Sequence, residues 1–196
     1  MITGVIMASG FSRRMNRNKL LLTLGDESII ERVIRAVKGS DIDDIIVVYN
    51  NENVKKIAKK YKVRTVFNER PDKGQSESMK IGINAACKET CGYMFIVGDQ
   101  PFLDTSTINT LISTFKKEKC CIVSPVYNGK RGNPVIFSSH LKAKLLEIEG
   151  DMGGRKIIDE YIKQVTFVAV DNDILGLDID TWEEYQQIKE WRWKSD

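Results

Sequence analysis

The sequence predicts a three-layer α/β/α fold around a mostly parallel, Rossmann-like sheet. Three observations carry that expectation. Short, nearly continuous apolar runs alternate with amphipathic helical patterns, as expected for strands covered on both faces. Ser28 with Glu31 and Thr181 with Glu184 have capping-box spacing and mark helix starts. The first strand runs straight into a small-residue loop rich in cations, at the strand end where open α/β sheets bind ligands.

Gly4 to Ala8 reads as the opening buried strand, followed by Ser9-Gly10-Phe11-Ser12-Arg13-Arg14-Met15-Asn16-Arg17-Asn18-Lys19. Gly10 lets the backbone turn and approach a ligand closely. Successive backbone N–H groups in such a loop form a concave anion site, to which Arg14 and Lys19 add full charges. Neither common phosphate-loop spacing, G-x-x-x-x-G-K-S/T or G-x-G-x-x-G, is present. Ile29, Ile30, Val33, Ile34 and Val37 share one helical face. Ile45 to Tyr49 is a strand, and Val54, Ile57, Ala58 and Tyr61 mark a helix whose other face is lysine. A strand is expected over Val63 to Phe67 and a helix over Ser76 to Ala86. The buried strand Tyr93 to Val97 stops at Gly98-Asp99-Gln100-Pro101. Ile108, Leu111, Ile112 and Phe115 make the next helix face, and Cys120 to Ser124 the next strand.

The second half is less regular. Pro134 to Phe137 reads as a strand and Leu141, Leu145 and Ile148 as a helix face. Gly150 to Arg155 is a loop feeding the helix of Ile157, Ile158 and Tyr161. Thr166 to Val170 and Ile174 to Asp180 read as short strands, and Trp182, Tyr185, Ile188, Trp191 and Trp193 belong to a last helix. No linker, repeat or low-complexity tract divides residues 1–196, so a single domain is expected.

Composition excludes several classes. The 30 cations face 27 anions, and a net charge of +3 argues against a nucleic-acid partner. No apolar run approaches the roughly 20 residues that a membrane span needs, and the N-terminus lacks the pattern of a signal peptide. The expected location is the cytoplasm. Cys87, Cys91, Cys120 and Cys121 have no disulfide-framework spacing, and His140 is the only histidine, without a Cys-x-x-Cys pair to form a zinc site.

Acidic residues at strand ends point to a metal. Asp99 follows an apolar strand, and strand alternation places Asp178 and Asp180 on one face. A nucleotide-bound magnesium ion is held by one or two carboxylates, phosphate oxygens and water. Asp99 with Asp178 or Asp180 suits that role. Asp104 or Thr105 and Thr181 already serve as helix caps, which leaves Asp99 and Asp178 without a capping role. The scarcity of histidine bears on mechanism as well. A phosphate acceptor, with its second pKa about 6, is already ionised and needs alignment and charge neutralisation rather than a base.

These blocks resemble the molybdenum cofactor cytidylyltransferases, within the nucleotidyltransferases of the nucleotide-diphosphosugar-transferase fold. That family opens close to L-A-A-G-x-S-x-R-M-G-x-x-K-L-L-L; this chain reads Met7-Ala8-Ser9-Gly10-Phe11-Ser12-Arg13-Arg14-Met15-Asn16 and then Lys19-Leu20-Leu21-Leu22. The similarity continues in order through Gly74 to Gly82, Gly98 to Pro101, Arg131 to Val135, Gly150 to Arg155 and Asp178 to Thr181. It implies that Ala8, Ser9, Gly10, Ser12, Arg14 and Lys19 bind the triphosphate, with Lys19 against the α-phosphate. Gly74, Gln75 and Ser78 meet the base, Asp99 and Asp178 hold Mg2+, and Lys19, Arg14 and Asp99 form the catalytic set. Arg131, Asn133, Pro134, Asp151 and Arg155 fall to the acceptor. The implied reaction moves CMP from CTP to the phosphate of molybdenum-bearing molybdopterin and hands the product to a molybdenum hydroxylase. GTP for the same acceptor, a sugar or polyol phosphate as acceptor, and a non-catalytic nucleotide or pterin carrier are the alternatives. Ser9 stands where cytidylyl members have alanine and guanylyl members glycine, so its side chain can touch base or ribose. Asn16 replaces a loop glycine and is the non-glycine residue most tolerant of positive φ.

Overall fold

A computed structural model describes residues 1–10, 15, 17–118 and 120–193, the last three by backbone alone. Ser12, Arg14 and Asn16, and the side chains of Trp191 and Trp193, lie outside the described residues. The elements run β1 (Ile2–Ala8), β2 (Thr23–Leu24), β3 (Glu27–Ser28), α1 (Ile29–Lys38), β4 (Asp44–Tyr49), α2 (Glu52–Lys60) and β5 (Arg64–Phe67). They continue with α3 (Gln75–Ala85), β6 (Gly92–Val97), α4 (Thr105–Glu118), β7 (Ile122–Tyr127), β8 (Lys130–Arg131) and β9 (Val135–Ser138). Last come α5 (Lys142–Glu147), α6 (Arg155–Glu160), β10 (Val165–Val170) and α7 (Trp182–Trp193).

The main sheet has the order β10-β7-β9-β6-β1-β4-β5, with β8 paired to β7. β1 lies between β4 and β6 with both parallel to it, β5 is parallel to β4, and β10 is parallel to β7. β9 is antiparallel to both β6 and β7. β2 and β3 form a separate small hairpin.

Alternation along β1 explains the layers. Ile2 and Ile6 join one core with α1, α2, α4 and α7, while Val5 joins the other with α3, α5 and α6. The predicted α1 face of Ile29, Ile30, Val33, Ile34 and Val37 is fully buried. Each such side chain contributes about 1.5–3 kcal/mol of apolar burial. The caps fall as expected: Ser28 accepts from the Glu31 N–H at 3.4 Å, Asp104 from Thr107 at 2.8 Å, and Thr181 from Glu184 at 3.2 Å. Trp182 packs against Tyr185, with ring centroids 5.2 Å apart.

One expectation is corrected. Residues 174–180 form no strand; a 3-10 turn covers Asp173–Gly176, Leu177 is extended, and residues 177–180 join no ladder. The segment is tied instead to the end of β6 by the Ile179 N–H, which donates to the Asp99 carbonyl at 3.1 Å. Ile179 is fully buried, so both flanking aspartates are turned the other way.

Candidate active site

The carboxyl ends of β1 and β6 open on a cleft of about 590 Å³, within the usual size range of small-molecule sites. Ser9, Gly10, Lys19, Gly74, Gln75, Ser78, Asp99 and Asp151 all line it. Residues from four distant blocks therefore meet in one place.

Local structure sets each of these positions. Lys19 opens a 3-10 turn, Lys19–Leu21, capped by the Asn18 side chain, which accepts from the Leu20 N–H at 3.1 Å. Leu20 is 4% exposed and anchors the turn to the core. The Gly98 N–H donates to the Met7 carbonyl at 3.1 Å, which keeps Asp99 beside the end of β1. Lys19 Nζ then lies 2.6 Å from Asp99 Oδ2 and 2.8 Å from Asp180 Oδ1. Burial works against the Lys19 ammonium, but Asp99 and Asp180 outweigh it and hold its pKa above the usual lysine value.

Asp178 stands near this pair without bonding Lys19. It keeps a solvent-facing side. Surrounding protein and the charge of Asp99 nevertheless push its carboxyl up to about 6, against a Gln100 hydrogen bond that favours the ionised form. Gln100 is 1% exposed, and its Nε2 also donates to the Gly176 carbonyl at 3.0 Å. Among the described residues, no three acidic, cysteine or histidine side chains converge as a ready-made metal cage. An all-oxygen set of separated carboxylates suits a hard divalent ion that takes its other ligands from phosphate and water.

The start of α3 forms the facing wall. Gly82, one turn beyond Ser78, has no room for a Cβ, which would come within 2.3 Å of the Val5 side chain. This close approach of helix to sheet brings Ser78 onto Ser9, whose Oγ atoms are 2.6 Å apart. Both are buried, and Asn68 Nδ2 donates to Ser9 at 2.9 Å and to Ser78 at 3.4 Å. Ser9 therefore turns its hydroxyl into a buried network. Asn68 is a residue that motif reading missed; its only sequence signal is its place in the turn after β5, and its partners are remote in sequence.

The acceptor-side candidates divide. Asp151 Oδ1 accepts from the Gln75 N–H at 3.2 Å, an acidic partner at a helix N-terminus. Gly74 has φ +83°, and a Cβ there would lie 2.4 Å from Asp151 Oδ1. Arg131 lies outside the cleft, its guanidinium 2.6 Å from Asp159 on α6. Arg155 is exposed and makes no hydrogen bond or ion pair with a described residue. The Asn133 carbonyl accepts from Tyr127 Oη at 2.8 Å, and Pro134 is buried. Ala8 is 1% exposed and packs in the core.

Residues 4–165 match the profile of the MobA-like NTP transferase domain. The chain is 29% identical over 201 residues to the purine catabolism protein PucB of Bacillus subtilis, covering 96% of each. It is 33% identical over 130 residues to a probable molybdenum cofactor guanylyltransferase of Natranaerobius thermophilus, covering 65% of this chain and 62% of that one. Among solved structures, Rv0371c of Mycobacterium tuberculosis H37Rv superimposes with a TM-score of 0.87 at 25% identity, over 96% of this chain and 97% of that one. A nucleotidyl transferase from Methanothermobacter gives a TM-score of 0.84 at 22% identity, over 100% and 99%. The fold is that of the nucleotide-diphosphosugar transferases, as the sequence implied.

Proposed function

The chain belongs to the family of MobA-like NTP transferase domains, which makes it a nucleotidyltransferase, and on that footing we propose that it moves CMP from CTP onto molybdenum-bearing molybdopterin. The observation that carries this reading is the Lys19 ammonium bridging Asp99 and Asp180 at the foot of the cleft, opposite the first turn of α3.

In this reading the backbone after Ser9 and the charges of Lys19 and Arg14 take the triphosphate, with Lys19 at the α-phosphate. A terminal phosphate oxygen of the acceptor attacks the α-phosphorus. The bond from α-phosphorus to the bridging oxygen breaks, and pyrophosphate leaves with that electron pair. The attacking oxygen carries no proton at neutral pH, so no base is required. Lys19 neutralises charge as it builds on the transferred group. Asp99 and Asp178 are the residues that would hold a divalent ion, in keeping with the all-oxygen donor set. Such an ion, Mg2+ in this reading, supplies charge neutralisation and template binding for the phosphates. A related structure at 24% identity was solved with manganese.

Gly74, Gln75 and Ser78 lie where the base would rest. Ser9 matches neither the alanine of cytidylyl members nor the glycine of guanylyl members, so the choice of a pyrimidine rests on the resemblance of the other blocks. The name of the Natranaerobius relative supports a molybdopterin acceptor. In this reading Asp151, Arg155, Arg131, Asn133 and Pro134 fall to the acceptor, of which Asp151 lines the cleft, and a molybdenum hydroxylase receives the product. Pyrophosphate release, measured with each of the four nucleotides and molybdenum-loaded molybdopterin, tests the reading. CTP is expected to turn over fastest. Faster turnover of GTP would make the protein a guanylyltransferase.

A further inference from the structure

The paired hydroxyls of Ser9 and Ser78 carry information about their ligand. With the two Oγ atoms 2.6 Å apart, one proton is shared between them. Asn68 offers them only N–H groups, because its Oδ1 is turned away to accept the Arg70 N–H at 2.9 Å. Reversing the amide would set its NH2 against that donor, so the orientation is fixed by chemistry. Asn68 is itself 1% exposed, with its backbone N–H held by the Tyr49 carbonyl at 2.7 Å. Two hydroxyls bring two protons, and only one is used within the pair. Neither hydroxyl has another acceptor among the described residues. One O–H remains, and both serines line the cleft.

We propose that Asn68 is a positioning residue that fixes the Ser9–Ser78 pair as a hydrogen-bond donor toward a carbonyl oxygen of the nucleotide base. The inference rests on the reading of the cleft as a nucleotide site. Cytosine presents one such carbonyl, at C2. An aspartate at position 68 would keep the bond from Arg70 yet draw one hydroxyl proton to its second oxygen. The other proton would stay within the pair, leaving only lone pairs for the ligand.

The test compares binding of CTP and 2-thio-CTP, whose C2 sulfur is a weaker acceptor, to the wild type and Asn68→Asp by titration calorimetry. KM, kcat and melting temperature are measured alongside. The wild type is expected to bind 2-thio-CTP about tenfold more weakly than CTP. Asn68→Asp is expected to bind CTP about tenfold more weakly and to lose the preference, with KM for CTP raised about tenfold and kcat changed by less than about threefold. Simple charge repulsion would weaken both nucleotides and preserve the preference. A wild type that binds both equally overturns the proposal whether or not the variant folds, and so does a folded Asn68→Asp that keeps the preference. Should GTP prove the substrate, GTP and 6-thio-GTP take their places. A wild type that binds no nucleotide at all sinks the nucleotide reading itself, and this proposal with it.

Discussion

Along the α3 wall of the cleft, polar side chains are buried and bonded to one another, whereas Arg131 and Arg155, the cations assigned to the acceptor, stand in solvent. Ser9, Asn68 and Ser78 are each at most 3% exposed. Arg131 is 45% exposed at its side chain and its partner Asp159 61%. A buried hydrogen bond broken on one side leaves an unsatisfied group at about 1–3 kcal/mol, while an exposed ion pair contributes about 0–1 kcal/mol. Under the proposed assignment the nucleotide side is thus built in advance. Under the same assignment the acceptor side can exchange a weak internal pair for a ligand phosphate at little cost.

The sharpest way to break this contrast is at Lys19. Lys19→Met removes the ammonium that bridges Asp99 and Asp180, and kcat for pyrophosphate release should fall by about 10²–10³. A loss below tenfold would remove Lys19 from the reaction. Next comes Gly74→Ala, which forces a positive φ on alanine and drives its Cβ into Asp151 and the Gly150 backbone. A cost of about 2 kcal/mol should lower the melting temperature by about 4–8 °C. Asp151→Ala removes the carboxylate from the α3 N-terminus, and about 1 kcal/mol, or about 2–4 °C by calorimetry, is expected. The smallest change in stability belongs to Arg131→Ala, within about 0.5 kcal/mol of the wild type. Its effect should appear as a raised KM for the acceptor while the KM for nucleotide stays within about twofold. Equal rises in both would erase the distinction between the two sides.

Much of the fold was legible because its signals are local. Apolar strands, helix faces and the caps at Ser28, Asp104 and Thr181 each depend on residues within a few positions of one another. The 174–180 segment misled because alternating side chains resemble a strand whether or not a neighbour supplies a ladder. Its tether from Ile179 to Asp99 spans 80 positions and leaves no trace in the local pattern. The same limit applies within the site. Alternation shows that Asp178 and Asp180 share a face, yet only the folded chain shows that Asp180 meets Lys19. Asn68 carries no motif, since its meaning comes from Ser9, 59 residues away.

Asp151 sits in the loop assigned to one substrate and bonds the helix assigned to the other. Swinging that loop outward strips a partner from the Gln75 amide, and a ligand that recruits the amide must first dislodge the carboxylate. Under the proposed assignment the two substrates share a latch, and filling either berth registers in its neighbour before any phosphorus bond is made.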